Sequence, residues 1–268
     1  MPPHPQTPEG QAGLHAILAD PAGALIASDF DGTLSPIVPD PAAARAFPGS
    51  AGALSRLAAA VGTVAVITGR PAADAIALSG FAEIPGLIVL GHYGAERWQA
   101  GTVIALPVPD GVSEARRLLP GVVRLEDGTR IEDKGTALAV HTRQAADPVA
   151  ALATLRAPLE DLAERTGLLL EPGRYVLELR PPGMDKGAAL RDLAAERAAR
   201  SVLFCGDDLG DLPAFAAVRD LRTAGIPGCT VASASPEATE VTEAADVVVD
   251  GPPGVVAFLS ALADVMGG

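Results

Sequence analysis

The chain has 268 residues, which allows one large domain or two modest ones, and 49% of them are hydrophobic. These values indicate a globular protein with a substantial core. The formal net charge of −13 argues against nucleic acid and anionic membranes as partners, because both require clustered lysines and arginines.

The first segment, Met1 to about Gly13, is rich in proline, glycine and glutamine and has no apolar run. It lacks the charged start and apolar middle of a signal peptide, and no later run approaches the ~20 apolar residues of a membrane span. We therefore expect a loose N-terminal tail on a soluble, cytoplasmic protein. The two cysteines, Cys205 and Cys229, indicate neither a disulfide framework nor a zinc site.

A short apolar run, Ala24 to Ala27, is too brief for a helix and predicts a buried strand. Asp29 and Asp31 follow where this strand ends, and Gly32 then allows a sharp turn. Two acids at the end of a buried strand are costly unless a cation neutralises them. Oxygen ligands suit Mg²⁺, which also binds substrate phosphate oxygens. The pair therefore indicates a site for a metal and a phosphate, with two turn-capping acids as the alternative.

The next stretch alternates helical and strand patterns. Residues 50–60 predict a helix with Ser50 as its N-cap, and residues 63–67 predict a second buried strand. This alternation is typical of right-handed crossover units and a parallel sheet. Thr68 and Arg70 follow the second strand in a Thr-Gly-Arg segment, a pattern that a surface turn would share.

A third buried strand is predicted over residues 87–90, and the segment Gly91 to Glu96 follows it. Its His92 suggests a general base at first sight. A structural or substrate-lining histidine is the better interpretation, and we assign His92 no catalytic role.

From about Gly101 to Pro182 the pattern changes, and strand-like pieces alternate with one long helical pattern over residues 148–166. Polar side chains share a face of two of these strands by alternation. Such faces either bind polar groups of a ligand or are simply solvated. The polar pairs are Glu132 with Lys134, and Glu178 with Arg180.

Two further polar residues of this region, His141 and Arg143, raise a question of register. Strict alternation from Glu132 onward places both of them on the face opposite Glu132. A bulge at Gly135 would bring them back to the same face, because glycine within a strand often marks a bulge.

The last part of the chain repeats the pattern of the first motif. Lys186 lies at the start of a helix predicted from Gly187 to about Ala199, and helix N-termini favour anions. A buried strand is predicted to begin at Ser201, and a glycine and three acids follow it: Asp207, Asp208 and Asp211.

Residues 29–34, DFDGTL, resemble the nucleophile motif of the haloacid dehalogenase (HAD) superfamily of phosphohydrolases. The extension 35–37, SPI, resembles its trehalose-6-phosphate phosphatase family. The resemblance implies that Asp29 attacks phosphorus and forms an aspartyl-phosphate. It implies that Asp31 protonates the leaving sugar oxygen and then activates the hydrolytic water. Thr68 and Arg70 match the second motif, where the hydroxyl binds the transferring phosphoryl group and the arginine supports the site.

Further motifs follow in the order of the family. Lys186 matches the lysine that neutralises the nucleophile and the phosphoryl oxygens. Residues 206–212, GDDLGDL, match a motif that is usually Gly-Asp-Asp-x-Thr-Asp-Glu, with Gly210 replacing the threonine and Leu212 the glutamate. The resemblance implies a Mg²⁺ cofactor held by five acids: Asp29, Asp31, Asp207, Asp208 and Asp211.

The implied fold is α/β, a HAD-like Rossmannoid core with a parallel sheet flanked by helices and an inserted smaller α+β cap domain. The implied core comprises residues 1–104, with the tail 1–13, and residues 183–268, and the cap comprises residues 105–182. In the family the cap contacts the sugar, and the matching residues here are Glu132, Lys134, His141, Arg143 and Glu178.

The resemblance implies a Mg²⁺-dependent phosphatase that converts trehalose 6-phosphate, a small sugar phosphate, to trehalose and phosphate in trehalose biosynthesis. We expect a monomer. One alternative is a phosphatase for another sugar phosphate, such as glucosylglycerol or mannosylglycerate phosphate. A second is a non-catalytic, phosphatase-like partner of a trehalose-6-phosphate synthase, against which the intact acids and lysine argue: Asp29, Asp31, Lys186 and Asp207.

Overall fold

In the computed structural model the described residues are 4–123, 128–234 and 239–267. The chain divides into two compact units: the large unit, Met1–Ala105 with Asp185–Gly268, and the small unit, Leu106–Met184. The α-helices are α1 (Pro8–Ala19), α2 (Ser50–Ala60), α3 (Ala72–Ser79), α4 (Asp110–Val122), α5 (Pro148–Thr166), α6 (Lys186–Glu196), α7 (Leu212–Thr223), α8 (Thr239–Ala244) and α9 (Gly251–Met266). The strands are β1 (Ala24–Ser28), β2 (Thr63–Ile67), β3 (Ile88–Gly91), β4 (Glu96–Gln99), β5 (Thr102–Ala105), β6 (Arg130–Asp133), β7 (Leu138–His141), β8 (Leu169–Gly173), β9 (Val176–Arg180), β10 (Ser201–Gly206), β11 (Gly228–Ser233) and β12 (Val247–Val249).

Eight strands form the sheet of the large unit, in the order β12-β11-β10-β1-β2-β3-β4-β5. Neighbouring strands from β12 to β3 are parallel, and β4 and β5 add an antiparallel edge. Parallel neighbours require crossover connections, which the helices between them supply. Because strand side chains alternate, Ala24 and Ile26 pack in one apolar cluster while Leu25 and Ala27 pack in another.

Helices cover both faces of this sheet. Helices α1, α2 and α9 bury Ile17, Leu57 and Phe258 in the first cluster, and α6 and α7 bury Leu190 and Phe215 in the second. A sheet that is buried on both faces explains the near-continuous apolar runs of its parallel strands. The predicted α/β core with a flanked parallel sheet is therefore confirmed. No helix in the described ranges is long and apolar enough to cross a membrane.

The predicted loose tail through Gly13 is wrong, because helix α1 begins at Pro8. The Thr7 hydroxyl caps this helix by accepting a hydrogen bond from the Gly10 backbone N–H at 3.1 Å. Gly13 packs so closely on β11 that a Cβ atom there would lie 1.8 Å from the Gly228 carbonyl oxygen. The contact between α1 and β11 therefore requires glycine at position 13. A contact of this kind leaves no apolar pattern in the sequence.

The predicted N-cap Ser50 is also wrong. Helix α2 has Gly49 as its N-cap, in the left-handed region with φ of 96°. Ser50 is buried, and its hydroxyl donates to the Leu34 carbonyl at 3.1 Å. The serine therefore ties α2 to the loop after β1 instead of capping its own helix.

Four antiparallel strands form the sheet of the small unit, in the order β6-β7-β9-β8. The helix predicted over residues 148–166 is confirmed as α5. Helices α4 and α5 and one face of the sheet share an apolar core, to which the strands contribute Leu138, Val140, Leu177 and Leu179. On the opposite face, which we call the polar face, the polar side chains are Arg130, Glu132, His141, Glu171, Glu178 and Arg180.

The question of register is resolved by a turn at Gly135 and not by the bulge considered there. Gly135, with φ of 80°, lies in the turn between β6 and β7, where the Lys134 N–H donates to the Ala137 carbonyl at 3.0 Å. The segment is a hairpin, so alternation starts afresh in the second strand. Glu132 pairs with Ala139 in the ladder, which places Glu132 and His141 on the same face.

Candidate active site

The loop after β1 carries the two acids of the first motif. The Asp29 backbone N–H donates to the Cys205 carbonyl at 2.8 Å, which fixes Asp29 between β1 and β10. Asp29 is buried, whereas the Asp31 side chain is 36% exposed. Gly32 has φ of 77°, and a Cβ atom there would lie 1.9 Å from Oδ2 of Asp207. Glycine is therefore required both for the left-handed turn and for the approach of the second acidic strand end.

Lys186 brings the first and last motifs together. It is the first residue of α6, whose N-cap Asp185 accepts a hydrogen bond from the Ala188 N–H at 2.8 Å. The Lys186 ammonium lies 2.8 Å from Oδ1 of Asp29 and 2.8 Å from Oδ1 of Asp211. Burial lowers the pKa of Lys186, but the negative charges of Asp211 and Asp29 outweigh it and hold this pKa well above its usual value. The lysine is therefore a permanent cation between two carboxylates.

The three acids after β10 have different surroundings. Oδ2 of Asp211 accepts backbone N–H groups from Asp207 at 2.9 Å and Asp208 at 3.2 Å. With Lys186 on its other oxygen, Asp211 is fully engaged by the protein. Asp208 is exposed, and its side chain completes a capping box with Asp211. Asp207 is buried and accepts a hydrogen bond from the Thr33 hydroxyl at 3.1 Å.

Negative charge is in excess in this group. Carboxylate oxygens of Asp29, Asp207 and Asp211 lie within 4.8 Å of one another. Burial raises the pKa of Asp29 well above its ordinary value despite the opposing charge of Lys186. Burial and the neighbouring Asp211 and Asp208 raise the pKa of Asp207 to about 7, and burial also raises the pKa of Asp211. An all-oxygen donor set with surplus negative charge fits a hard divalent cation such as Mg²⁺.

Arg70 of the second motif is bound to Asp31. Its guanidinium donates to both Asp31 oxygens, from Nε to Oδ2 and from Nη2 to Oδ1, each at 2.6 Å. A third donor, Nη1, reaches the Pro41 carbonyl at 2.9 Å. Thr68 is buried, and its hydroxyl accepts from the Arg70 N–H at 3.1 Å. The structure thus brings Thr68, Arg70 and Asp31 together, with Asp31 paired to Arg70 and outside the group of acids that could share a metal.

A strained turn supports this second motif. His92 and Tyr93 both have positive φ, 46° and 58°, which is unusual for residues with a side chain. Their backbone N–H groups donate to the Arg70 carbonyl at 2.9 Å and to the Thr68 carbonyl at 3.0 Å. The turn therefore holds the loop that carries Arg70. The sequence indicated a structural histidine here but not this backbone clamp.

The polar face of the small unit carries most of the residues predicted to bind sugar. Nε2 of His141 lies 2.6 Å from Oε2 of Glu132. The Lys134 ammonium, in the turn after β6, pairs with Oε2 of Glu178. Arg143 is exposed in the turn that follows β7, two residues beyond the end of that strand.

Sequence reasoning missed two members of these groups. Thr33 donates to Asp207, and only its place inside the first motif could have indicated this. Glu171 of β8 pairs in the ladder with Glu178 and forms an ion pair with Arg180 at 3.1 Å. Its position could be found only from the pairing of β8 with β9, which the sequence did not supply.

Known proteins provide independent information about this arrangement. The family model of trehalose-phosphatase matches residues 27–248. An uncharacterised glycosyl hydrolase of Mycobacterium tuberculosis is 39% identical over 208 residues, 71% of this chain and 15% of that protein. A trehalose-phosphate phosphatase of Mycobacterium avium is 36% identical over 220 residues, 74% of this chain. The chain spans about half, 52%, of that relative's length.

A solved structure extends the likeness to nearly the whole fold. The trehalose-6-phosphate phosphatase of Aspergillus fumigatus is 26% identical, with a TM-score of 0.70, over 98% of this chain and 99% of that one. The matching family model covers both acidic strand ends and Lys186, as well as the polar face. The chain therefore belongs to the trehalose-phosphatase family.

Proposed function

We propose that this protein hydrolyses trehalose 6-phosphate to trehalose and phosphate through an aspartyl-phosphate on Asp29. The observation that carries the proposal is the environment of Asp29. One of its oxygens is bound by Lys186 at 2.8 Å, which leaves the other for attack on phosphorus. Lys186 also supplies positive charge where the phosphoryl oxygens gain negative charge in the transition state.

The proposed reaction has two steps, and Asp31 gives up a proton in the first and regains one in the second. In the first, an Asp29 oxygen bonds to phosphorus, the bond from phosphorus to the sugar oxygen breaks, and Asp31 gives that oxygen a proton. In the second, Asp31 takes a proton from water as the water oxygen attacks phosphorus. Phosphate leaves, and the Asp29 carboxylate is restored. Thr68 is proposed to hold the transferring phosphoryl group.

Arg70 has a defined part in this scheme. Its two 2.6 Å hydrogen bonds need both Asp31 oxygens as acceptors. In a protonated carboxyl group one oxygen carries a proton and acts as a donor. Such a group therefore accepts the two guanidinium hydrogen bonds less well than a carboxylate does. We propose that Arg70 orients Asp31 as the base and loosens its hold when Asp31 carries the proton for the sugar oxygen.

Mg²⁺ is proposed as the cofactor, held by Asp29 and Asp207 with Asp211 beside them. The donor set fits, since the three acids are close together and carry more negative charge than Lys186 offsets. When bound, a divalent cation neutralises this charge and polarises a phosphoryl oxygen. Asp31 and Asp208, the other predicted ligands, are engaged by Arg70 and by the capping box.

The sugar is proposed to be recognised by the small unit through Glu132, Lys134 and Glu178. Glu178 supports this role because its Oε1 is buried and lacks a hydrogen-bond partner among the described residues. A buried charged acceptor without a donor is unfavourable by about 1–3 kcal/mol or more, and a sugar hydroxyl would supply the donor. His141, bonded to Glu132, is proposed to orient that carboxylate, and Arg143 is proposed to contact substrate.

The decisive experiment is phosphate release from a panel of sugar phosphates, with and without Mg²⁺. The panel contains trehalose 6-phosphate, glucosylglycerol phosphate and mannosylglycerate phosphate. We expect trehalose 6-phosphate to give the highest kcat/KM and chelation of Mg²⁺ to abolish the reaction. Faster hydrolysis of another member would assign that substrate instead, and no release from any member would indicate a non-catalytic partner. Cytoplasmic location and a monomeric state stay predictions.

A further inference from the structure

Two glutamates lie directly opposite each other on the polar face. Glu171 of β8 is the ladder partner of Glu178 of β9. Side chains of such partners project to the same face with Cβ atoms about 4.5–5.5 Å apart, and like charges in that position repel. A solvated sheet surface has no need of such a pair, so its presence requires an explanation.

Each of these glutamates forms an ion pair with a cation. Lys134 pairs with Glu178, and Arg180 pairs with Glu171 at 3.1 Å. The Arg180 side chain is 16% exposed, whereas the Glu171 side chain is 44% exposed. The result is a row of charged side chains in which the two cations offset the two carboxylates, and Glu171 is the more exposed member of its pair.

The open acceptor in this row is Oε1 of Glu178. Glu178 is only 8% exposed, and this oxygen is buried and has no hydrogen-bond partner among the described residues. A nearby carboxylate cannot satisfy it, because Glu171 has no proton to donate when ionised. A hydroxyl of a bound ligand can supply the missing donor, next to Glu171.

We propose that Glu171 and Arg180 extend the sugar site, so that the glutamate pair recognises two neighbouring hydroxyls of one sugar ring. One hydroxyl donates to Glu178 and the adjacent hydroxyl donates to Glu171, while Arg180 donates to a hydroxyl oxygen. Two acceptors side by side match a vicinal diol, which a phosphate ester without a sugar lacks. This inference rests on the proposed function and names the sugar feature that the polar face selects.

The test is Glu171→Gln, compared with wild type on the sugar-phosphate panel and on p-nitrophenyl phosphate. Gln keeps the shape and still accepts from Arg180, but it is a weaker acceptor for a hydroxyl. We expect kcat/KM for the best sugar phosphate to fall about tenfold and kcat/KM for p-nitrophenyl phosphate to change less than about twofold. The melting temperature should not fall, because the repulsion from Glu178 is relieved.

The matched control is Glu114→Gln. Glu114 is also a small-unit glutamate paired with an arginine, Arg117 at 2.6 Å, but it lies on α4 and off the polar face. This variant should leave both substrates unchanged. A double variant of Glu171→Gln with Glu178→Gln should lose less than the sum of the single losses, because both residues bind one ring.

The outcomes separate this inference from the proposed function. An unchanged kcat/KM for the best sugar phosphate in Glu171→Gln would overturn the inference, as would equal losses on p-nitrophenyl phosphate. If wild type prefers a sugar phosphate other than trehalose 6-phosphate, the proposed substrate falls while Glu171 is judged on the preferred one. If wild type hydrolyses no sugar phosphate, both proposals fall together.

Discussion

Lys186 in the large unit and Lys134 in the small unit both pair with carboxylates, but in different surroundings. The Lys186 side chain is 6% exposed and lies between Asp29 and Asp211. The Lys134 side chain is 19% exposed and forms an ion pair with Glu178. Around Lys186 the acids outnumber the cations, whereas on the polar face each glutamate has its own basic partner.

The difference in charge balance indicates what each region binds. A buried group with surplus negative charge has raised carboxyl pKa values, as Asp29 and Asp207 have, and is stabilised by a further cation. A face whose charges already balance gains little from an ion. It offers acceptors such as Glu178 Oε1 to a neutral ligand with hydroxyls. Chemistry is therefore expected to depend on the large unit and selectivity on the small one.

The largest effect is expected from Asp29→Asn. Removing the attacking carboxylate should lower phosphate release from every substrate by at least about a thousandfold, with no change in fold by circular dichroism. Asparagine keeps the size of the side chain, so Lys186 retains its pairing with Asp211. If the variant kept a tenth or more of wild-type turnover, the covalent route through Asp29 would be wrong.

Asp31→Asn should have the next largest effect. Without a proton donor and acceptor, kcat should fall about 10²–10⁴-fold while substrate binding persists. The loss should be smaller for p-nitrophenyl phosphate than for the sugar phosphate, because nitrophenolate leaves without a proton. A loss under about tenfold for the sugar phosphate would give Asp31 a lesser role.

Glu178→Ala tests whether selectivity depends on the small unit and chemistry on the large unit. Loss of a sugar contact should lower kcat/KM for trehalose 6-phosphate about a hundredfold, and p-nitrophenyl phosphate should change little because it presents no hydroxyls. Both assays are run on the same preparation. Equal losses would mean that Glu178 supports the fold or the chemistry, and the proposal that the small unit recognises the sugar would be wrong.

The large-unit site follows closely from the sequence for a physical reason. Its residues stand at strand ends and at a helix start, and parallel strands bring their carboxyl ends to one edge of a sheet. Asp29 and Asp207 could therefore be placed together from the strand patterns, whereas Lys186 was placed beside them by its resemblance to the family motif. The Arg70–Asp31 fork could not, because a side-chain pairing of two loops has no periodic signal.

The polar face was harder to predict because it depends on register. Glu132 and His141 share a face only because the chain reverses at Gly135, a turn that looks like a bulge in the sequence. Glu171 was missed since nothing local identifies its partner strand. Helix α1 was missed although Thr7 before Pro8 is a local helix-start signal, because the proline- and glycine-rich composition around it suggested a tail.

The smallest effect on turnover is expected at Asp246, a buried carboxylate whose charge is fully matched. It accepts hydrogen bonds from the Arg222 guanidinium, the Thr7 hydroxyl, and the Thr230 N–H at 2.8 Å. Burial acts to raise the pKa of Asp246, but these hydrogen bonds outweigh it and hold the pKa below its ordinary value of 3.8. Its shift is therefore opposite in direction to that of Asp29, although both side chains are buried.

This contrast predicts that Asp246 contributes to the stability of the fold and not to the activity. Because the folded-state pKa is depressed, Asp246 contributes stability above about pH 4 and loses it as the pH falls through the folded-state pKa. Asp246→Asn should lower the free energy of unfolding by about 3 kcal/mol at pH 7, leave kcat/KM unchanged for folded enzyme, and differ less from wild type below pH 4. Urea unfolding at pH 7 and at a pH below 4 measures this difference. The control is Asp220→Asn, because Asp220 is an exposed carboxylate 3.3 Å from Arg191. A stability difference that stays constant with pH would show that Asp246 acts through packing and not through its charge.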